Sequence, residues 1–518
     1  MTTSDAAVAM GADGWTAPAG PTTVVTQFAR QVLATPGRSA VVEGDESLTY
    51  GELAVRVHRL ATDLDHVGVQ RGHVVAVAVP SGIDQAIGVL AVLSLGAAFM
   101  AIDLDEPLDR LGRMLEEADV RVALARPGAI DFAQIAVLSI DPAGTAEDPP
   151  FDLPPGRIGG LTRSADLACI CATAGTSGLG RRPVMIEHGQ LFAMLQGMDA
   201  VVDAHAAVVW LATSGLSQTQ SIVELLWTLT HGHQVVYAGQ LHDGASVVDA
   251  VRRHQVTTMQ LAPSRLARLL VDVDSRAALA SLRQLLVGGE VLSPVLAAEA
   301  LSLGPSVWHL YGATESSGWA TAHRVGVEDL AGPVPIGRPL AHVRVDVVDD
   351  DGRAVGVGQR GHLLLAGESV ARGYLSRPKL TGECFRAAVS LTGQIERWYT
   401  TGDDVEVRPG GELAFLGRAS DCIMVNGRLV TLQAIEAALA SHPAVRRVRV
   451  ENRTIGRGAA AVRATVVVRA DARASVDELR LYATQRLRVQ IVLMDIIVEP
   501  DVMRPAPTDP HLQQLQPH

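Results

Sequence analysis

Short apolar, β-prone runs alternate in this chain with stretches whose apolar residues recur at helical spacing. That alternation limits the fold more than any other feature. Residues 74–79, 206–211, Gln234–Tyr237 and 285–287 read as strands, and 222–230 and 263–272 read as helices. A strand that is apolar along its whole length is covered on both faces. Strands separated by helices usually run parallel. The expected class is therefore α/β, a largely parallel sheet covered by helices. Residues 86–102 are apolar enough to raise the question of a membrane span. They are slightly short for one and are broken by Gly88, Ser94 and Gly96, so a buried helix running into a buried strand is expected.

Local signals refine the plan. Thr49 followed by Glu52 forms a capping box. Leu53, Val57, Leu60, Ala61 and Leu64 then continue at helical spacing. A second helix is expected from Asp84. From about Val334 the pattern turns strand-rich and Gly-rich, with short antiparallel strands expected at 342–348, 361–366 and 412–416. After Gly417 it changes again. Leu432, Ile435 and Leu439 mark a helix, 445–450 and 461–468 mark strands, and Ser475 with Glu478 caps another helix. A chain of 518 residues exceeds one hydrophobic core. Three segments are expected: a flexible tail at 1–20, a large domain at 21–418, and a small α+β domain at 419–518.

Composition removes several function classes. Hydrophobic residues make up 48% and charged residues 19%, a foldable balance. A net charge of −12 gives no basic field for a nucleic acid. The spacing of Cys169, Cys171, Cys384 and Cys422 fits neither a zinc site nor a disulfide framework. Four scattered cysteines and the absence of a signal-peptide pattern point to the cytoplasm, without a membrane partner. Lys379 is the only lysine, so any mechanism that needs a lysine must use it or do without.

Seven local strings follow one another over almost the whole chain. They are Leu48-Thr-Tyr-Gly-Glu-Leu53, Gly96-Ala-Ala-Phe-Met-Ala-Ile-Asp103, Thr173-Ala-Gly-Thr-Ser-Gly178, Gly288-Gly-Glu290, Tyr311-Gly-Ala-Thr-Glu315, Ala371-Arg-Gly-Tyr-Leu375 with Tyr399-Thr-Thr-Gly-Asp403, and Gly417-Arg418. In this order they resemble the adenylate-forming superfamily of acyl-CoA synthetases, nonribosomal-peptide adenylation domains and luciferases. The resemblance implies stacked α/β subdomains and a β-rich subdomain in the large domain, and a mobile small one. It also implies an AMP site of Gly288, Gly289, Tyr311, Gly312, Thr314, Glu315, Asp403, Phe415 and Arg418. The chemistry fits. Glycines let the backbone approach a flat base, Tyr311 offers a ring face, and Thr314 offers a hydroxyl to the α-phosphate. Asp403, read as lying in a Gly-rich turn, can accept two ribose hydroxyls, and Arg418 can reach ribose and phosphate. Glu315 occupies the position that the family uses on magnesium.

The departures from the family pattern are equally specific. Its phosphate loop is degenerate here: Thr173, Gly175, Thr176, Ser177 and Gly178 remain, but a serine is Ala174 and the Pro-Lys pair is Gly180-Arg181. Leu512 stands near the place of the lysine that bridges carboxylate and α-phosphate, so no catalytic residue is assigned. Ser420 replaces the hinge acid. Gly427 remains where the family shapes its pantetheine tunnel, and Arg446 and Arg447 are basic candidates for CoA. On an alignment at Glu224, Gln218 and Thr219 occupy the acyl pocket, with no aspartate to hold an α-amino group.

Loss of the lysine with retention of the AMP residues implies a specialist for the second half-reaction, acyl-adenylate plus CoA to acyl-CoA plus AMP. The pattern resembles the non-adenylating acyl-CoA ligase of a split pair in platensimycin–platencin-type diterpenoid biosynthesis, a pathway of antibiotic biosynthesis. On this reading a separate enzyme supplies the adenylate. AMP, acyl-adenylate and CoA are substrates rather than tightly bound cofactors, no metal site is assigned, and magnesium is not required for the thioester step. A carrier-protein pantetheine is the less favoured acceptor. Two other readings stay open: a complete ATP-dependent acid–CoA or acid–carrier ligase using arginine in place of lysine, and an AMP-binding pseudoenzyme partnering another ligase.

Overall fold

The computed structural model describes residues 23–103, 106, 108–126, 135–140, 162–173, 182–238, 244–389, 395–418, 422–425, 428–440, 442–455, 459–468, 473–487 and 494–500. The expected tail lies outside them. The chain forms two compact units. One runs to Thr401 and takes in Glu406–Ala414; the other comprises Gly402–Val405 and the described residues from Phe415 onward.

The larger unit is built on two mixed sheets. In the nine-stranded sheet, Ser39–Glu43, Gln234–Tyr237, Val209–Ala212, Thr258–Leu261, Gln284–Gly288 and Ser306–Ala313 lie side by side and parallel. Antiparallel strands close its edges: Glu46–Thr49 on one side, Gly318–Arg324 and Arg338–Pro339 on the other. The seven-stranded sheet repeats the plan. Its parallel core is Ala136–Leu138, Val122–Ala125, Val74–Ala78, Ala98–Ala101 and Leu167–Ala172, and its antiparallel edge is Pro183–Glu187 and Gly373–Tyr374. The parallel strands are buried almost residue by residue, as their unbroken apolar runs require.

Helix Ile83–Ser94 touches strands of both sheets and is buried over nearly its whole length. That burial accounts for its apolar character all round. Residues 86–102 form this helix and the strand Ala98–Ala101. Among the described residues no helix is long and apolar enough to cross a membrane. The capping box starts helix Tyr50–His66: Glu52 N–H donates to Thr49 Oγ1 at 3.2 Å, and Glu52 Oε2 accepts from Thr49 N–H at 2.7 Å. Cys169 and Cys171 are fully buried in strand Leu167–Ala172.

Several expected boundaries move. The strand expected at 206–211 starts at Val209. The helix expected over 263–272 ends at Leu269, because Asp272 caps the next helix by accepting from Ser275 N–H at 2.8 Å. The helix expected at 222–230 starts earlier, as Thr219–Ile222, and widens to a π-turn over Val223–Trp227. The strands expected at 342–348 and 361–366 are Val343–Val348 and Arg360–Gly367, antiparallel as expected.

In the smaller unit, Val445–Ile455 and Ala459–Val468 form an antiparallel pair, with Met494–Pro500 added in parallel. Helices Leu432–Ala440 and Val476–Leu487 cover this sheet through Ile435, Leu439, Leu479 and Ala483. Ser475 Oγ accepts from Glu478 N–H at 3.2 Å, the cap expected there.

Candidate active site

The strand Gln284–Gly288 ends with Gly288 opposite Leu310, and its parallel neighbour Ser306–Ala313 runs three residues further. Open α/β sheets bind ligands at such carboxyl ends. Here the glycines are sterically required. A Cβ on Gly288 would lie 2.5 Å from the Leu310 carbonyl and 2.7 Å from the Trp319 ring. Gly289 has φ +83°, and a Cβ there would lie 2.5 Å from Gln220 Nε2. A Cβ on Gly312 would overlap the Gly318 carbonyl, where the strand pair shifts register after Tyr311. The backbone of the Gly288-Gly289 turn is thus flush with the side chains of Trp319 and Gln220.

Beyond Gly312 the chain makes a short 3-10 turn, Thr314–Ser316, and Ser317 takes the left-handed conformation at φ +60°. Glu315 is buried by this turn. Its Oε1 accepts a 2.6 Å hydrogen bond from Tyr374 Oη, and its carbonyl accepts from Ala371 N–H at 2.9 Å. Tyr374 sits on the edge strand Gly373–Tyr374, opposite Val184. Burial and the neighbouring Glu315 carboxylate push its phenol well above the usual range, so it stays a donor. The Arg182 guanidinium lies 5.8 Å from the Tyr374 ring centre. Arg182 also closes the phosphate loop: its N–H donates to Thr173 Oγ1, and Thr173 N–H donates to its carbonyl, both at 3.0 Å. Gly175, Thr176, Ser177, Gly178 and Arg181, between these two ends, lie outside the described residues.

The acyl-pocket candidates sit at a helix start. Gln218 is the exposed N-cap residue of Thr219–Ile222, and Thr219 is half-buried. Behind them, on the π-turn, Glu224 is fully buried. It accepts from Thr213 N–H at 2.9 Å, from Ser214 N–H at 3.0 Å, from Ser214 Oγ at 2.8 Å and from Gln260 Nε2 at 3.3 Å, while Thr213 Oγ1, 3.4 Å away, donates to the Gln260 carbonyl. Burial pushes its carboxyl up to about 7, against the pull of the Ser214 and Thr213 hydrogen bonds and the Arg265 charge. Gln260 passes the network on: its Oε1 accepts from Trp319 Nε1 at 2.8 Å. Sequence reasoning missed Gln220, Gln260 and Trp319 and used Glu224 only as an alignment marker. A glutamine, Gln260, inside a short strand buried at every position was the one available signal.

The smaller unit carries the rest. Asp403 does not lie in a turn after a strand, as expected. It lies inside the thirteen-residue strand Ile395–Val407. Gly402, at φ +75°, kinks that strand without ending it. Asp403 is buried, and its Oδ1 accepts from Arg418 Nε at 2.8 Å. Arg418, at the end of strand Leu413–Arg418, keeps its side chain about 40% exposed. Phe415 is half-buried on the same strand. Arg446 is exposed at the start of Val445–Ile455, and the side chain of Arg447 is outside the described residues, as are Ser420, Gly427 and Leu512. Lys379 is exposed on helix Pro378–Cys384. Among the described residues no group of three or more His, Cys, Asp and Glu side chains is arranged to hold a metal ion.

Two mixed α/β sheets, a Gly-Gly turn at the carboxyl ends of parallel strands, a Thr-Glu turn beside it and a separate α+β unit define the adenylate-forming class of enzyme. The chain belongs to the AMP-binding enzyme family, which matches residues 28–375. It is 34% identical over 430 residues to malpinin synthetase of Mortierella alpina, covering 81% of this chain and 6% of that protein. It is 31% identical over 455 residues to indigoidine synthase of Streptomyces lavendulae, covering 85% and 35%. The chain therefore spans only a small part of these relatives. Two solved structures share the fold. Klebsiella oxytoca NpsA in complex with 3-hydroxyanthranilyl-AMSN aligns with a TM-score of 0.80 at 23% identity, covering 92% of this chain and 95% of that one. Bacillus subtilis o-succinylbenzoate coenzyme A synthetase in complex with AMP aligns with a TM-score of 0.77 at 22% identity, covering 91% and 94%.

Proposed function

We propose that this chain catalyses the thioester-forming half-reaction, acyl-adenylate plus CoA to acyl-CoA plus AMP, and makes little adenylate from ATP by itself. One observation carries the reading. The only lysine of the 518 residues is Lys379, and it lies exposed on a surface helix. Adenylation brings a carboxylate against a triphosphate. Without a cation to screen the two anions, the transition state loses several kcal/mol, on the order of one well-placed electrostatic contact. An acyl-adenylate is a mixed anhydride that is already activated. Attack by a thiol needs a held AMP moiety, an aligned sulfur and exclusion of water. No pyrophosphate leaves in that step, so magnesium is not required for it.

On this reading Gly288, Gly289, Tyr311 and Thr314 of the larger unit hold the nucleotide, Asp403 and Arg418 are the smaller unit's own nucleotide-binding candidates, and the region around Gln218, Thr219, Gln260 and Trp319 receives the acyl group. The acid is a carboxylic acid without an α-amino group, activated by a separate enzyme of secondary metabolism. The solved structures with the same fold include complexes with AMP and with an acyl-adenylate intermediate, which supports the substrate class.

The test offers synthetic acyl-adenylates and CoA and follows thioester by mass spectrometry, beside ATP–pyrophosphate exchange with a panel of carboxylic acids. Thioester without exchange is expected; robust exchange overturns the non-adenylating claim. One observation favours a complete ligase as the second reading. Arg182 is fixed at the mouth of the phosphate loop by Thr173 and lies beside Tyr374, a position from which an arginine can meet phosphate.

A further inference from the structure

The acid at the centre of the acyl-pocket wall does no work in the reaction proposed above. Glu224 is fully buried, and its donors are two backbone N–H groups, the Ser214 hydroxyl and the Gln260 amide. Those partners belong to the pieces that would face an acyl group. Thr213 and Ser214 begin the segment that leads to Gln218, which turns back through Gln218 N–H to the Gly215 carbonyl at 2.9 Å. Gln260 is held between the Glu224 carboxylate, the Gln220 carbonyl at 3.3 Å and the Trp319 indole. The Trp319 ring and the Gln220 amide are the two side chains flush with Gly288 and Gly289. The π-turn over Val223–Trp227 carries Glu224, and such turns are frequent at functional sites.

Resting on the reading that this region receives the acyl group, we infer that Glu224 is a positioning residue of the acyl pocket: as a carboxylate it fixes the Thr213–Ser214 backbone and, through Gln260, the Trp319 indole, and protonation loosens the Gln260–Trp319 link. Oε2 of the carboxylate accepts both N–H groups, and Oε1 accepts the Ser214 hydroxyl and the Gln260 amide, while the single Thr213 hydroxyl hydrogen goes to the Gln260 carbonyl at 2.5 Å. A proton on Oε1 is met by a hydroxyl that turns round to accept, and the Gln260 N–H loses its charged acceptor. The charged and titratable groups that face it are Arg265, whose guanidinium donates to the Thr213 carbonyl, and Tyr237 on the neighbouring strand. Burial pushes the Tyr237 phenol upward, so it stays neutral over the range that matters. Glu224 itself changes charge near pH 7. The pocket is therefore ordered above neutrality and loosened below it.

The test labels the full chain with 5-fluorotryptophan and follows the Trp319 resonance, identified by its loss in Trp319→Phe, between about pH 5.5 and 8.5. The resonance is expected to titrate with a midpoint near 7 in the parent protein and to be flat in Glu224→Gln. In Ser214→Ala, which removes a donor to the charged form, the midpoint moves upward. That second variant keeps the test alive should Glu224→Gln not fold. In a second arm, calorimetry compares benzoyl- and octanoyl-adenosine sulfamate with AMP. The advantage of the acylated ligand over AMP is expected to fall severalfold from pH 8 to pH 6 in the parent, and to stay at the low value in Glu224→Gln. A Trp319 resonance that does not titrate, or that titrates equally in Glu224→Gln, overturns the inference. Neither arm measures thioester, so failure of the ligase reading is seen separately.

Discussion

Tyr374 Oη donates a 2.6 Å hydrogen bond to Oε1 of Glu315, a carboxylate buried in the Thr314–Ser316 turn. The two residues are 59 positions apart, and the bond joins the turn to the edge strand that flanks the phosphate loop. Tyr374→Phe keeps the ring and removes the donor, so Glu315 loses a charge-assisted bond. The expected cost is about 1.5–3 kcal/mol of stability. Urea unfolding measures it, and an unchanged midpoint would remove this bond from the account of the turn.

Asp403 and Arg418 are held against each other, with the Arg418 side chain still partly exposed, and on the half-reaction reading they meet ribose and phosphate. A non-hydrolysable acyl-adenylate mimic is expected to bind more tightly than ATP, because the altered phosphate loop adds little for the extra phosphates. Asp403→Ala should weaken the mimic by about 1.5–3 kcal/mol. Calorimetry decides both points. ATP binding as tightly as the mimic would contradict the half-reaction reading.

Gly312→Ala places a methyl group on the Gly318 carbonyl, a backbone atom that cannot swing aside. Overpacking of this kind costs about 1–3 kcal/mol. The damage should fall on mimic affinity as well as on stability, because Tyr311 and Thr314 flank the position. Gly352→Ala is the control: a Cβ there meets nothing within 4 Å, and the cost comes only from its φ of +77°. If Gly312→Ala binds the mimic no worse than Gly352→Ala does, the strand pair is not part of the nucleotide site.

CoA and its 3′-dephospho form should differ in apparent affinity if Arg446 or Arg447 meets the 3′-phosphate, and salt should shrink the difference. Equal affinities would favour recognition of pantetheine alone, hence a carrier protein as acceptor. Gly427→Trp should stop thioester formation from a synthetic adenylate while leaving adenylate binding intact. Thioester formation at the parent rate in that variant would discard the tunnel assignment.

Burial holds His188, His233 and His309 neutral, with each ring pushed down to about 4 from an ordinary 6.5. Between those values the unfolded chain binds protons that the folded chain refuses. Their contribution is complete above pH 6.5 and is lost as the pH falls toward 4. Glu224 acts in the opposite sense, since its raised carboxyl keeps a proton in the folded state between about 4.5 and 7. His231 and Asp84, also raised, act with Glu224, and His254, lowered, acts with the three histidines, so four lowered histidines stand against three raised groups. Urea midpoints should fall from pH 7 to pH 5, and a rise would contradict the buried neutral histidines.

The adenylate-forming class was legible in the sequence because its signals are local. Thr49 and Glu52 lie three residues apart and cap a helix with their own side chains. Gly288-Gly289 and Tyr311 to Glu315 are contiguous strings that mark where strands end. Asp403 was misplaced because a glycine with positive φ reads as a turn, and only pairing with neighbouring strands tells a kink from an end. The missed wall residues have the same explanation at longer range.

By itself the sequence determined the α/β alternation, the order of the motifs and the loss of the lysine, since each is a property of neighbours along the chain or of a residue's identity. Only the tertiary structure decided that Tyr374 meets Glu315, that Arg418 meets Asp403 in one unit, and that Trp319 is tied through Gln260 to a buried Glu224. These pairs are 59, 15, 59 and 36 residues apart. Their encounter depends on which strands pair and in what register, and register is set by burying one face of each strand against the rest of the protein.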